Sequence, residues 1–211
     1  MKMALRIAAA LILAAVAGVA GLWFFGLRTP DYPMPALTGT YQAGQLESGG
    51  LTRRYAWYRP AGLTGPAPVV FILHGSAASG DRMRSATAWA FDELADRDGF
   101  IPVYPDGFEG HWNDCRAVGG YAAKARGVDD TAFLRALVEA IGREVPLDRD
   151  RVFAFGLSNG GQMALRLALE APDFMAGVAA VAASVPAAGN QACAPGRGPV
   201  PVLLINGTGD P

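Results

Sequence analysis

The sequence is short of several things, and each shortage narrows what the protein can be. Two cysteines, Cys115 and Cys193, are too few and too far apart for a zinc cluster. Eighteen basic against nineteen acidic side chains leave a net charge of −1, so the chain carries no electrostatic footprint for nucleic acid. Only two histidines occur, His74 and His111. No internal repeat, low-complexity tract or long polar run interrupts a chain that is 51% hydrophobic, which argues against intrinsic disorder. Nothing calls for a metal or a cofactor.

What the chain does have, at its start, is a long apolar run. Lys2 and Arg6 precede Ile7 to Leu27, which carry no charge, and Arg28 ends the run. Two readings stand. A cleaved signal peptide uses Ile7 to Ala15 as its apolar core, with a small-residue site near Ala15-Val16-Ala17 or Gly18-Val19-Ala20. A membrane anchor uses residues 7–27 whole, long enough to span the hydrocarbon at ~1.5 Å per residue. Trp23, Phe24 and Phe25 favour the anchor, because aromatic side chains belong at the membrane interface. In either case the positive end stays inside and the rest is exported, to the periplasm or the exterior. No cysteine lies near the end of the run, so a lipoprotein is excluded. The division expected is an export signal or anchor over 1–27, a Pro-rich linker over 28–37, and one domain over 38–211.

Within that domain the spacing predicts seven strands. Thr40–Glu47 and Leu51–Tyr58 flank Ser48-Gly49-Gly50 as a hairpin, with Arg53–Tyr58 mixed in character like an edge strand. Val69–Leu73 is a short continuous apolar run, the mark of a strand buried on both faces of a parallel sheet, and Phe100–Tyr104 is the next strand. A helix over Trp89–Arg97 separates them. Residues 108–128 are irregular and rich in glycine, which suggests a functional loop. Asp129 caps a helix whose Phe133, Leu134, Leu137, Val138 and Ile141 form one buried stripe, and capping accounts for both Asp129 and Asp130. Ala176–Ala182 and Pro199–Ile205 are the sixth and seventh strands.

The fifth strand carries the chemistry. Phe153-Ala154-Phe155-Gly156-Leu157-Ser158-Asn159-Gly160-Gly161 runs from β-prone residues straight into the helix formers Gln162–Leu169. A strand and a helix with almost no turn between them force Ser158 to the tip with positive φ, and a Cβ at Gly156 or Gly160 would clash. This is the nucleophile-elbow pattern, G-x-S-x-G. His74-Gly75-Ser76 ends the third strand, where the loop donates one amide to an oxyanion hole: Ser76, or its neighbour Gly75, with Asn159 supplying the other. His74 reads better as a structural histidine holding that loop than as a catalytic base. His111 and Trp112 sit in the 108–128 loop, and Trp112 either lines a substrate pocket or pins the loop down.

Taken together, the HGS after a strand, GF-IPVYPDG, HWN, GVDDTAFL, DRDRVFAFGLSNGGQMA and PVLLINGTGDP resemble the polyhydroxybutyrate depolymerase/feruloyl esterase family of exported α/β-hydrolases, in the family's order, over residues 38 to 211. The resemblance implies an α/β-hydrolase fold, a mostly parallel sheet with helices on both faces. It implies a serine esterase acting on polyhydroxyalkanoates or on feruloyl and acetyl esters of plant polysaccharides, with Ser158 as nucleophile and Asp210 as the triad acid. In this fold the triad histidine follows the acid, and here nothing follows Pro211. The chain therefore reads as the front two-thirds of an enzyme, inactive alone, with its seventh strand left as a raw edge. An acyltransferase on the same fold, and a non-catalytic anchored binding module, are the alternatives. Export into an oxidising compartment favours a Cys115–Cys193 disulfide over two unpaired thiols. Pocket shape rests on the 107–128 loop, so the ester is not legible, nor is the oligomeric state.

Overall fold

The computed structural model describes residues 2–22, 32–194 and 196–209. Residues 1–33 and 34–211 are two separate units. The first contains α1 (Lys2–Leu22). Among the described residues no helix is long and apolar enough to cross a membrane. The anchor expected over residues 7–27 rests in part on Trp23 to Leu27, which lie outside the described residues, as does the start of the linker.

The second unit is built on a seven-stranded sheet of order β1-β2-β4-β3-β5-β6-β7. The strands are β1 (Thr40–Ser48), β2 (Leu51–Arg59), β3 (Ala67–Leu73), β4 (Ile101–Pro105), β5 (Leu147–Leu157), β6 (Gly177–Val181) and β7 (Val202–Ile205). The β1–β2 and β2–β4 pairings are antiparallel and all the others parallel. Strand β2 is therefore interior, and the edge expected there belongs to β1. The mixed look of β2 has a local cause: Ala56, Trp57 and Tyr58 are buried, and the charge of Arg53 is buried with them.

Side chains alternate across the pleat and so sort into two cores. Val69, Phe71 and Leu73, with Ile101, Val103, Val152 and Ala154, face α5 (Asp130–Ile141) and α6 (Asn159–Glu170). Val70 and Ile72 point the other way with Tyr104 and Phe155, toward Met83 of α2 (Gly80–Ala86) and Phe91 of α3 (Ala90–Asp98). Helices thus cover both faces. The five apolar residues of the α5 stripe are all buried. Helix α2 escaped the sequence reading, although Ser79 caps it by accepting from the Arg82 amide at 3.3 Å.

The loop after β4 is not irregular throughout. It contains the short helix α4 (Ala122–Ala125) and a bridge from Arg116 to Gln191. Cys115 and Cys193 are joined by a disulfide, which ties this loop to the one before β7. The Ala117 amide donates to the Asn190 carbonyl and the Ala192 amide to that of Cys115, so backbone bonds flank the bridge on both strands.

Beyond β5 nothing among the described residues covers the α2/α3 face of the sheet. Phe153, Phe155, Val202 and Leu203 line an apolar groove of about 570 Å³ there. All four residues of β7 are exposed, Leu203 by 57%.

Candidate active site

The elbow follows from steric exclusion. Strand β5 ends at Leu157 and α6 begins at Asn159, so Ser158 alone makes the turn, with φ 52° and ψ −116°. A Cβ on Gly156 would fall on the Gly160 carbonyl oxygen, and a Cβ on Gly160 would fall on that of Leu73. Both contacts are with backbone, which cannot swing aside. The start of α6 is therefore pressed against the end of β3. The Ser158 amide donates to the Val181 carbonyl at 2.8 Å, which fixes the tip to the end of β6. The serine side chain is exposed and accepts or donates no hydrogen bond among the described residues.

That packing brings the His74-Gly75-Ser76 loop to the serine. A Cβ built on Gly75 would lie 3.7 Å from the Ser158 Cβ. The Ala77 amide is already taken by the Gly110 carbonyl at 2.9 Å. The Ser76 amide has no acceptor among the described residues, and Asn159, first in its helix, has no intrahelical acceptor for its own.

His74 is fully buried and both ring nitrogens are occupied. Nε2 accepts the Gly107 amide at 2.9 Å, so the proton sits on Nδ1 and is donated to the Gly75 carbonyl at 2.7 Å. It holds the loop and does not reach the serine. Burial keeps the imidazole below its ordinary value near 6.5. Below that pH the unfolded chain binds a proton that the folded one refuses. Stability from this group is then complete above about pH 6.5 and is lost as the pH falls below it, by up to about 1.4 kcal/mol per unit. Urea midpoints measured from pH 7 to 5 should show that slope, and His74→Gln should flatten it. An unchanged slope in the variant would assign it to other groups.

Trp112 pins the loop down. It is fully buried, with its indole Nε1 donating to the His74 carbonyl at 2.9 Å. Its neighbour His111 is half-buried, stacked on Tyr121 at 4.5 Å, with Nδ1 3.0 Å from the Glu109 carbonyl. Neither histidine is hydrogen bonded to Ser158.

The side chain of Asn159 escaped the sequence reading. Its Oδ1 accepts the Trp112 amide at 2.8 Å, and its Nδ2 donates to the Trp112 carbonyl at 3.2 Å and to Asp114 Oδ2 at 2.7 Å. Burial pushes the Asp114 carboxyl up, but hydrogen bonds and charge from Arg116 outweigh it and hold the group below the usual carboxylate range. Asp130 also needs correction. Asp129 alone caps α5, through the Ala132 amide. Asp130 is buried against Arg53 at 2.7 Å and accepts the Asn113 amide at 2.8 Å. Arg53 in turn donates to the Asp106 carbonyl. Asp210, the expected triad acid, lies outside the described residues.

A serine at a strand–helix elbow, above a mostly parallel sheet of this order, defines the α/β-hydrolase fold. Within it the chain belongs to the Esterase PHB depolymerase family, whose sequence pattern matches residues 53–194. It is 33% identical over 193 residues to "Putative esterase NocK" of Nocardia uniformis subsp. tsuyamanensis, covering 87% of this chain and 52% of that protein. It is 30% identical over 161 residues to Feruloyl esterase B of Piromyces equi, covering 72% and 28%. The crystal structure of native pOPH superposes with a TM-score of 0.55 at 25% identity, over 72% of this chain and 53% of that one. The chain thus spans about half the length of NocK and of pOPH, and less of Feruloyl esterase B.

Proposed function

We propose that the protein is an exported serine carboxylesterase that hydrolyses polymer-linked esters, polyhydroxybutyrate or feruloyl and acetyl esters of polysaccharide, through an acyl-enzyme on Ser158. One observation carries the reading: Ser158 is held exposed at the elbow against the His74-Gly75-Ser76 loop, and the Ser76 and Asn159 amides have no acceptor among the described residues. Its Oγ attacks the ester carbonyl and passes its proton to an imidazole. The carbonyl oxygen, now negative, is held by the two amides, aided by the positive end of α6. Collapse expels the alcohol, which takes that proton. Water, deprotonated in the same way, then releases the acid and frees Ser158.

Neither His74 nor His111 is engaged with Ser158, so we place the base outside residues 1–211, oriented by Asp210. On this reading the 211 residues alone do not turn over esters. The Cys115–Cys193 disulfide supports an oxidising compartment and hence export. The substrate class comes from the family description and from Feruloyl esterase B. A fluorophosphonate applied to the native protein, with whatever its gene encodes beyond Pro211, should leave one adduct, on the peptide carrying Ser158. Mass spectrometry showing no adduct, or one elsewhere, would remove the assignment.

A further inference from the structure

The two amides invoked above come from different parts of the chain, Ser76 from the loop after β3 and Asn159 from the start of α6. Stabilising one oxyanion requires them at a fixed separation, because a donor displaced by a fraction of an ångström loses most of its effect. A single buried residue is bonded toward both. The backbone of Trp112 grips the Asn159 side chain twice, giving its N–H to Oδ1 at 2.8 Å and taking Nδ2–H on its carbonyl at 3.2 Å. Its indole Nε1 donates to the His74 carbonyl at 2.9 Å, and the two rings lie 5.1 Å apart.

From His74 the chain of contacts reaches the Ser76 amide through one peptide plane. Nδ1–H holds the Gly75 carbonyl at 2.7 Å. In a planar trans peptide the C=O and N–H point opposite ways, so fixing the Gly75 oxygen against the imidazole aims the Ser76 N–H away from it. The far side of the ring is fixed as well, by the Gly107 amide on Nε2. Asp114 holds the other end of the bridge by accepting from Asn159 Nδ2 at 2.7 Å. The side chains of His74, Trp112, Asn159 and Asp114 are all buried and hydrogen bonded, and a satisfied buried network of this kind is rigid.

We propose that Trp112 is a positioning residue, which sets the separation of the two oxyanion donors by bracing Asn159 with its backbone and His74 with its indole. The proposal rests on the serine-esterase reading. Trp112 touches no reacting atom and acts only through the two amides. The loop that carries it is thereby part of the catalytic geometry, although its side chain never meets substrate.

Trp112→Phe keeps an aromatic ring but removes the indole N–H together with the pyrrole half of the side chain. In the native protein it should lower kcat for p-nitrophenyl acetate about tenfold per active site titrated, with KM unchanged, since an oxyanion forms only in the transition state. The inhibition constant of a phenylboronic acid should rise by the same factor. A crystal structure of the variant should show the Ser76 and Asn159 amide nitrogens at a changed separation. If Trp112→Phe does not fold, Asn159→Asp serves. Two carboxylates then meet at Asp114 and share a proton. The variant's rate relative to wild type should approach unity at low pH and fall as the pH rises. An unchanged amide separation, or a raised KM at constant kcat, overturns the proposal. Full activity of Ser158→Ala would instead overturn the esterase reading. The amide separation in the Trp112→Phe crystal still decides the role of Trp112 in that case.

Discussion

On the proposed function, Ser158→Ala should lower p-nitrophenyl ester hydrolysis by the native protein by a factor on the order of 10⁶, with the fold intact. The size follows from what is lost. An alanine has no oxygen to form the acyl-enzyme, so what survives is the few-thousandfold advantage of the oxyanion donors and binding acting on attack by water. The fold survives because Ser158 contributes to it through its backbone. Its amide donates to Val181 and its carbonyl accepts from Gln162, and neither bond involves the hydroxyl. Alanine also tolerates the φ of 52° about as well as serine does, and a circular dichroism melt within a few degrees of wild type is expected. Residual activity within tenfold of wild type would mean that another group is the nucleophile.

The second large effect is on stability. Asp130→Ala should destabilise the protein by about 3–5 kcal/mol, the usual cost of leaving a buried charge without its partner. Arg53 is 3% exposed and cannot turn to solvent. Its guanidinium lies 4.0 Å over the Phe133 ring, which packs it in place. The same substitution orphans the Asn113 amide, now bonded to Asp130 Oδ2. Replacing both partners with apolar residues, as in Arg53→Met with Asp130→Leu, should recover most of the loss, because no unpaired charge remains. Urea unfolding of the two variants beside the wild type separates the cases. A cost below 1 kcal/mol for Asp130→Ala would mean that water reaches Arg53.

These two sites also show what a sequence can and cannot disclose. The elbow was legible because its causes lie within a few residues: β-prone residues, two glycines, one serine and a run of helix formers. The α5 stripe and the Asp129 cap were legible for the same reason. Asp130 was not, since its partner Arg53 is 77 residues away, and from sequence alone two adjacent aspartates before a helix look like capping groups. The clamp from Asn159 to Trp112 spans 47 residues and the bond from Trp112 to His74 spans 38. In each case a single polar side chain meets backbone, a contact with no periodicity and no pairing of residue types. The place of β2 was misread for a related reason. Strand order is set by which apolar faces meet, and a buried arginine made an interior strand look half-solvated.

The order of the strands bears on how the protein is made. From β3 outward the sheet adds β5, β6 and β7 in the sequence in which they are synthesised, each lying parallel to the one before. A strand emerging after β5 therefore finds its partner already in place and need not displace an earlier neighbour. Only β4 inserts elsewhere, between β2 and β3, and it is complete before β5 is made. A chain with this strand order can add β5, β6 and β7 to the sheet one after another as each is made.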